Sequence, residues 1–205
     1  LRQLVPVDFE KAVDLGDGLS LRFFPNGHIL GSAFVHIHHK STSILFSGDI
    51  GRPNDILMHA PVRIRQADYL VVESTYGNRL HDKSDPQLKL ATIINQTANR
   101  NGIVLIPIFA VGRAQELLYY IHLLKSSGQI PDIPVYLNSP MAVDATEIFV
   151  QHCGEHRLAP EQCRSLFKTA RMVSSAEESR RLNETKGPMI ILSASGMATG
   201  GRVVH

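Results

Sequence analysis

Apolar and polar positions alternate in the first third of the chain, and the period then changes. "LSLRFF" (Leu19–Phe24), "AFVHIHH" (Ala33–His39) and "SILFSG" (Ser43–Gly48) read as short strands, because period-two alternation bounded by turn residues marks a half-buried strand. "PNGH" and "KST" supply the turns between them. "ADYLVVES" (Ala67–Ser74) is almost continuously apolar, which predicts a strand buried on both faces.

Helical spacing sets in at Asp85. Leu90, Ile93, Ile94 and Thr97 fall on one face. Asp85 suits the N-cap, Pro86 the first helical position, and Gly102 lies just past the end. "IVLIPIF" follows as a buried strand. Ala114, Leu117, Leu118 and Ile121 then repeat at i, i+3, i+4, i+7, and Gly128 stops that helix. "IPVYLN" is a further strand. One polar helical stretch is expected from about Met141 to Ala170, before a last strand in "PMIILSASG". Strands alternating with helices predict a parallel sheet flanked by helices. The fold class is therefore α/β, with a β-rich region over 1–80 and an α/β region over 81–205. The boundary falls in "GNRLHDKSD".

A chain of 205 residues allows one large domain or two small ones. The formal net charge of +2 gives no global basic field, so any nucleic-acid site must be local. Cys153 and Cys163 form no C-x-x-C pair and are expected as reduced thiols. No apolar run approaches the roughly 20 residues that span a bilayer, and the first residues lack a signal peptide's pattern. A soluble, cytoplasmic protein with no membrane partner is expected. The start at Leu1 and the close at "GGRVVH" read as cut ends.

Candidate chemistry gathers on histidines. His36 and His38 share a strand face and would make half a metal site. Their alternation with Val35 and Ile37 gives the simpler picture of an apolar inner face with histidines in solvent, and His39 beside Lys40 is expected exposed. His28 stands apart, in the turn "PNGH" with Gly27 and Gly31 around it. Asp49 has the same setting between Gly48 and Ile50–Gly51. Loops at strand ends are where a rigid scaffold presents ligands. Two ligands do not complete a zinc site, which wants about four. The segment "HCGEH" (His152–His156) is expected on an exposed helix face.

"GHILGSA", "FSGDIGRP" and "VVESTYGNR", taken together, resemble successive motifs of the metallo-β-lactamase fold in its β-CASP branch of RNA-processing nucleases. "PIFAVGRAQELLYYI", "LNSPMA" and "SASGMATGGRVVH" resemble that branch's inserted cap. The resemblance runs over almost the whole chain in the right order. It implies the end of the first half of an αββα sandwich, followed by a β-CASP cap. It also implies a zinc-dependent hydrolase cutting phosphodiester bonds with a water activated by two metals, endo- or exonuclease. The substrate would be single-stranded RNA, or DNA. By the same resemblance His28 is a terminal metal ligand, Asp49 the carboxylate bridging two zinc ions, and Glu73 the acid that orients a downstream histidine. The family's H-x-H-x-D-H hallmark is absent: "HIHHK" has no Asp-His after it and lies downstream of His28. The two later histidine motifs are absent too, and His205 does not replace them. The chain thus reads as a middle segment, inactive alone.

The resemblance further implies that the cap closes over the metal face to make a groove for RNA. Arg113 stands at a helix start after Gly112, a natural place for an anion. Ser195 and Gly196 offer N–H groups after a strand, and Gly200, Gly201 and Arg202 add a basic turn. These are the expected substrate contacts. A surface ion pair is the plain alternative for both arginines. Two rival functions stand beside the nuclease: a non-catalytic RNA- or protein-binding relative, and a small-molecule hydrolase of the wider fold. A homo-oligomer is compatible with all three.

Overall fold

The structure is a computed structural model that describes residues 2–205. The chain falls into two compact units, the first ending at His81 and the second running Asp82–His205.

The first unit is built on a five-stranded sheet in the order β1 (Val13–Gly16), β2 (Leu19–Pro25), β3 (Ala33–His39), β4 (Thr42–Phe46), β5 (Tyr69–Val71). β1 to β4 form an antiparallel meander, and β5 runs parallel to β4. β2 and β3 pair without interruption from Leu19↔His39 to Pro25↔Ala33. The expectation of a strand buried on both faces fails at β5. It is three residues long, lies at the sheet edge, and leaves Tyr69, Leu70 and Val71 exposed. Among the described residues it has a strand neighbour on the β4 side alone.

The face assignment of β3 is also corrected. Phe34 and His36 are the buried members, while Val35 and Ile37 are only half-buried. His36 is therefore not a solvent histidine. The residues 62–66 lie against its face and share a groove with it. His38 is half-buried and His39 is exposed.

The second unit carries a parallel sheet in the order β6 (Ile103–Pro107), β9 (Met189–Ser193), β7 (Val135–Asn138), β8 (Arg171–Met172). All five residues of β9 are buried, as a central parallel strand requires. β6 is an edge strand: Val104 is buried, whereas Ile103 and Leu105 are exposed, against the expectation of a buried strand. The helices α1 (Pro86–Asn99) and α2 (Arg113–Ser126) form as expected. The Asp85 carboxylate accepts from Gln87 N at 2.8 Å and Pro86 opens the helix.

The stretch expected as one helix is two. α3 (Pro140–Gln151) and α4 (Pro160–Thr169) are separated by a 3₁₀ turn at Cys153–Glu155. Pro160 has no N–H to donate into a preceding turn, so it begins a helix and cannot continue one. α5 (Ala176–Glu184) and β8 were not anticipated, although the reciprocal Ser175–Glu178 capping box announces α5. Ile94, Leu118, Ile121, Leu137, Leu166 and Leu192 are fully buried and make the core of this unit.

Candidate active site

The site in the first unit is made by two loops that touch backbone to backbone. One follows β2 (Asn26–Ser32) and the other follows β4 (Ser47–Gly51). Gly51 N donates to Asn26 O at 2.9 Å. A Cβ at Gly51 would lie 1.9 Å from Gly27 O, and one at Gly27 would lie 2.5 Å from His59 O. Both positions need glycine because the space is filled by backbone.

Asn26 joins the loops. Its side chain is buried; Nδ2 donates to Ser47 O at 3.1 Å and Oδ1 accepts from His28 N at 3.3 Å. Oδ1 also accepts from Ser32 Oγ at 2.5 Å. One amide thereby fixes the residue that carries His28 and the strand end that leads to Asp49. With that frame set, His28 Nε2 stands 3.8 Å from Asp49 Oδ2, both side chains well exposed.

Glu73 completes the loop geometry. Its Oε1 accepts from Ile50 N at 2.7 Å, and its own N–H donates to Ser47 Oγ at 3.0 Å. Glu73 thus braces the peptide next to Asp49 from beyond β5. The Ile50 N–H first, and then Thr75, hold the Glu73 carboxyl below its ordinary range, with the nearby His28 adding a smaller pull. Sequence reasoning missed Asn26, and it linked Glu73 to a downstream histidine rather than to this loop pair.

The donor set suits a cation in part. An imidazole nitrogen and a carboxylate converge from rigid loops, and both accept zinc-type coordination. Two donors from this chain do not fill a coordination shell.

A second cluster lies in the other unit, where an exposed helix face was expected. Cys153 Sγ, His156 and Cys163 Sγ lie within 4.8 Å of one another, with His156 and Cys163 buried. Cys153 and Cys163 have Sγ atoms 2.9 Å apart. Burial, and then Cys153, push the Cys163 thiol up to about 12. His156 is already committed: Nδ1 accepts from Leu158 N at 3.2 Å, which leaves Nε2–H to donate to Phe149 O at 3.0 Å. Its ring also stacks on Phe149 at 3.9 Å. A metal at Nε2 would need both hydrogen bonds rearranged, so this trio reads as a packed core histidine beside two thiols.

The expected substrate contacts sit at the carboxyl ends of the second sheet, where open α/β sheets place their ligands. Arg113 begins α2 and pairs with Glu116 one turn on. Gln115 is buried and locks the preceding loop: Oε1 accepts from Gly112 N at 2.8 Å, and Nε2 donates to Thr146 Oγ1 at 2.8 Å. Ser195 N is not a free donor, because it donates to Gly200 O at 3.3 Å. Gly196 admits Phe109, whose ring carbons lie 2.8 Å from where a Cβ would sit. Arg202 Nη1 donates to Asn138 Oδ1 at 3.1 Å and Val173 O at 2.9 Å, and Nη2 to Ser174 O at 2.7 Å. Arg202 therefore clamps the ends of β7 and β8.

With these elements in place, the family comparison is specific. Residues 114–205 match the Beta-Casp domain model. The whole chain aligns with "Ribonuclease TTHA0252" of Thermus thermophilus at 35% identity over 212 residues, covering 100% of this chain and 48% of that protein. It matches "Transcription termination factor FttA" of Lokiarchaeum at 32% identity, covering 98% of this chain and 33% of that one. It matches "Endoribonuclease ysh1" of Schizosaccharomyces pombe at 30% identity, covering 95% of this chain and 26% of that one. The chain belongs to the β-CASP branch of the metallo-β-lactamase proteins. It spans about half the length, or less, of these curated relatives.

Proposed function

We propose that the protein carrying this segment is a metal-dependent ribonuclease that hydrolyses phosphodiester bonds of single-stranded RNA. The observation that carries the reading is the convergence of His28 and Asp49, 3.8 Å apart, on two loops locked by Asn26 and the Gly27–Gly51 contact. The names of two relatives, a ribonuclease and an endoribonuclease, support the same chemistry. No helix of the described residues is long and apolar enough to cross a membrane.

His28 and Asp49 would hold zinc, with further ligands from outside this segment. A bound pair of zinc ions supplies a low-pKa water and charge stabilisation for in-line displacement at phosphorus. The chain's own residues set the frame for that chemistry. Asn26 fixes the backbone of His28. Glu73 fixes the peptide after Asp49, and with it the backbone from which the carboxylate projects. Arg113, at the amino end of α2, would meet a phosphate by exchanging Glu116 for it.

The test is hydrolysis of a labelled single-stranded RNA by the full-length protein, with and without chelator. Cleavage abolished by chelation and restored by zinc is expected. Cleavage that persists after complete metal removal would overturn the proposal.

A further inference from the structure

The first unit holds a second polar feature that the proposed hydrolysis does not use. A groove of about 510 Å³ on the His36 face of the sheet is lined by Arg22, His36, Lys40, Arg63, Arg65 and Asp68. Its chemistry is lopsided. Four cations face one carboxylate, and no ion pair among the described residues engages any of the four. Asp68 is occupied: its Oδ2 accepts from Ser43 N at 2.7 Å and from Ser43 Oγ at 2.8 Å.

The second observation is independent of charge. His36 is more than nine-tenths buried and lines this groove. Its Nδ1 meets His38 Nε2 at 3.4 Å. Its Nε2 is the only buried side-chain nitrogen or oxygen among the described residues that lacks a hydrogen-bond partner. An unpartnered buried polar atom costs free energy and calls for a partner, whether water, ion or ligand. A cation is a poor occupant among unpaired arginines and a lysine. Burial, then His38 and Arg22, lower the pKa of His36; this is the expected behaviour of an imidazole in a positive, partly dry setting that lacks its anion.

We propose that this groove is a phosphate-binding site in which Arg22, Arg63 and Arg65 hold the oxyanion and His36 Nε2 hydrogen-bonds it. Guanidinium groups fit phosphate oxygens in bidentate pairs, which favours phosphate over a spherical anion. The groove is larger than one phosphate needs, so the group arrives on a nucleotide or a polynucleotide. The site is separate from His28 and Asp49. Arg22 pairs with His36 three rungs along the sheet from the Pro25↔Ala33 end that leads to His28. At about 3.3 Å per residue that is roughly 10 Å. The phosphate site stands on this unit alone; assigning it to an RNA backbone rests on the ribonuclease reading.

The experiment compares the full chain with the Arg63→Gln/Arg65→Gln double variant, at two exposed positions, with circular dichroism checking that the sheet is retained. Inorganic phosphate is titrated first, then a short single-stranded RNA. Loss of about tenfold or more in phosphate affinity supports the site. A parallel loss in RNA affinity identifies the backbone as the source, and RNA affinity unchanged identifies free phosphate or a nucleotide. A loss confined to RNA supports the site as a backbone contact too weak for the free ion. Phosphate and RNA affinities both unchanged in the double variant would overturn the site. Failure of RNA hydrolysis elsewhere leaves the phosphate arm intact, so the two readings fail separately.

Discussion

Gly51 and Gly27 are in contact through their backbones: a Cβ on Gly51 would stand 1.9 Å from Gly27 O. That contact joins the loop of His28 to the loop of Asp49. Gly51→Ala should force the loops apart. Zinc affinity in the full-length protein should fall at least about tenfold, the scale on which supporting residues act on metal sites. Gly154→Ala, where no atom lies within 4 Å of the added Cβ, is the control. Metal analysis after dialysis checks the pair, and equal zinc content in both variants would count against the contact's importance.

Asn26→Ala should destabilise the first unit. It strands the buried Ser47 O and removes the part-buried bond from His28 N; a buried polar group stranded in this way costs about 1–3 kcal/mol. A loss of about 2–4 kcal/mol in urea unfolding is expected. A loss under about 0.5 kcal/mol, the range of ordinary surface changes, would show that Asn26 does not hold the loops.

Glu73 gives a pH signature. Its folded-state pKa is depressed below 4.5, chiefly by the Ile50 N–H. A depressed carboxylate adds stability that is present above its unfolded pKa and is lost as pH falls through the folded value. The melting temperature of wild type should exceed that of Glu73→Gln near neutral pH, and the gap should close as the pH drops below about 4.5. A gap that widens in acid would contradict the assignment.

Much of the fold was legible in the sequence, and the reasons differ by element. β2, β3, α1 and α2 follow from period and caps within a single window. His28 and Asp49 stood out because each occupies a glycine-rich strand end. What escaped was non-local. Glu73 reaches Ile50 across 23 residues and Gln115 reaches Thr146 across 31, and no local period encodes either bond. His36 was placed in solvent because alternation tells which residues share a face but not which face is covered. β5 and β6 were over-buried because an apolar run cannot say that its strand lies at a sheet edge. Arg202 looked like a free cation; three acceptors that hold it come from residues 138, 173 and 174.

Arg113 makes a quantitative prediction. If it contacts an RNA phosphate, Arg113→Ala should lower the slope of log affinity against log salt by about 0.7, the single-strand value for one contact. Glu116→Gln frees Arg113 from its partner and should tighten RNA binding. An unchanged slope in Arg113→Ala would remove it from the RNA path.

The central claim is that His28 and Asp49 are metal ligands of a hydrolytic site. This chain supplies two donors, where each zinc of such a site needs about three from protein, so the chain alone should hold zinc weakly and give it up to a chelator. In the full-length protein Asp49 should be indispensable. The deciding measurement is zinc content and RNA cleavage, side by side, for full-length wild type and Asp49→Ala. The account predicts that metal content and turnover fall together, with cleavage reduced at least about a hundredfold. Full zinc content with undiminished cleavage in Asp49→Ala would contradict it.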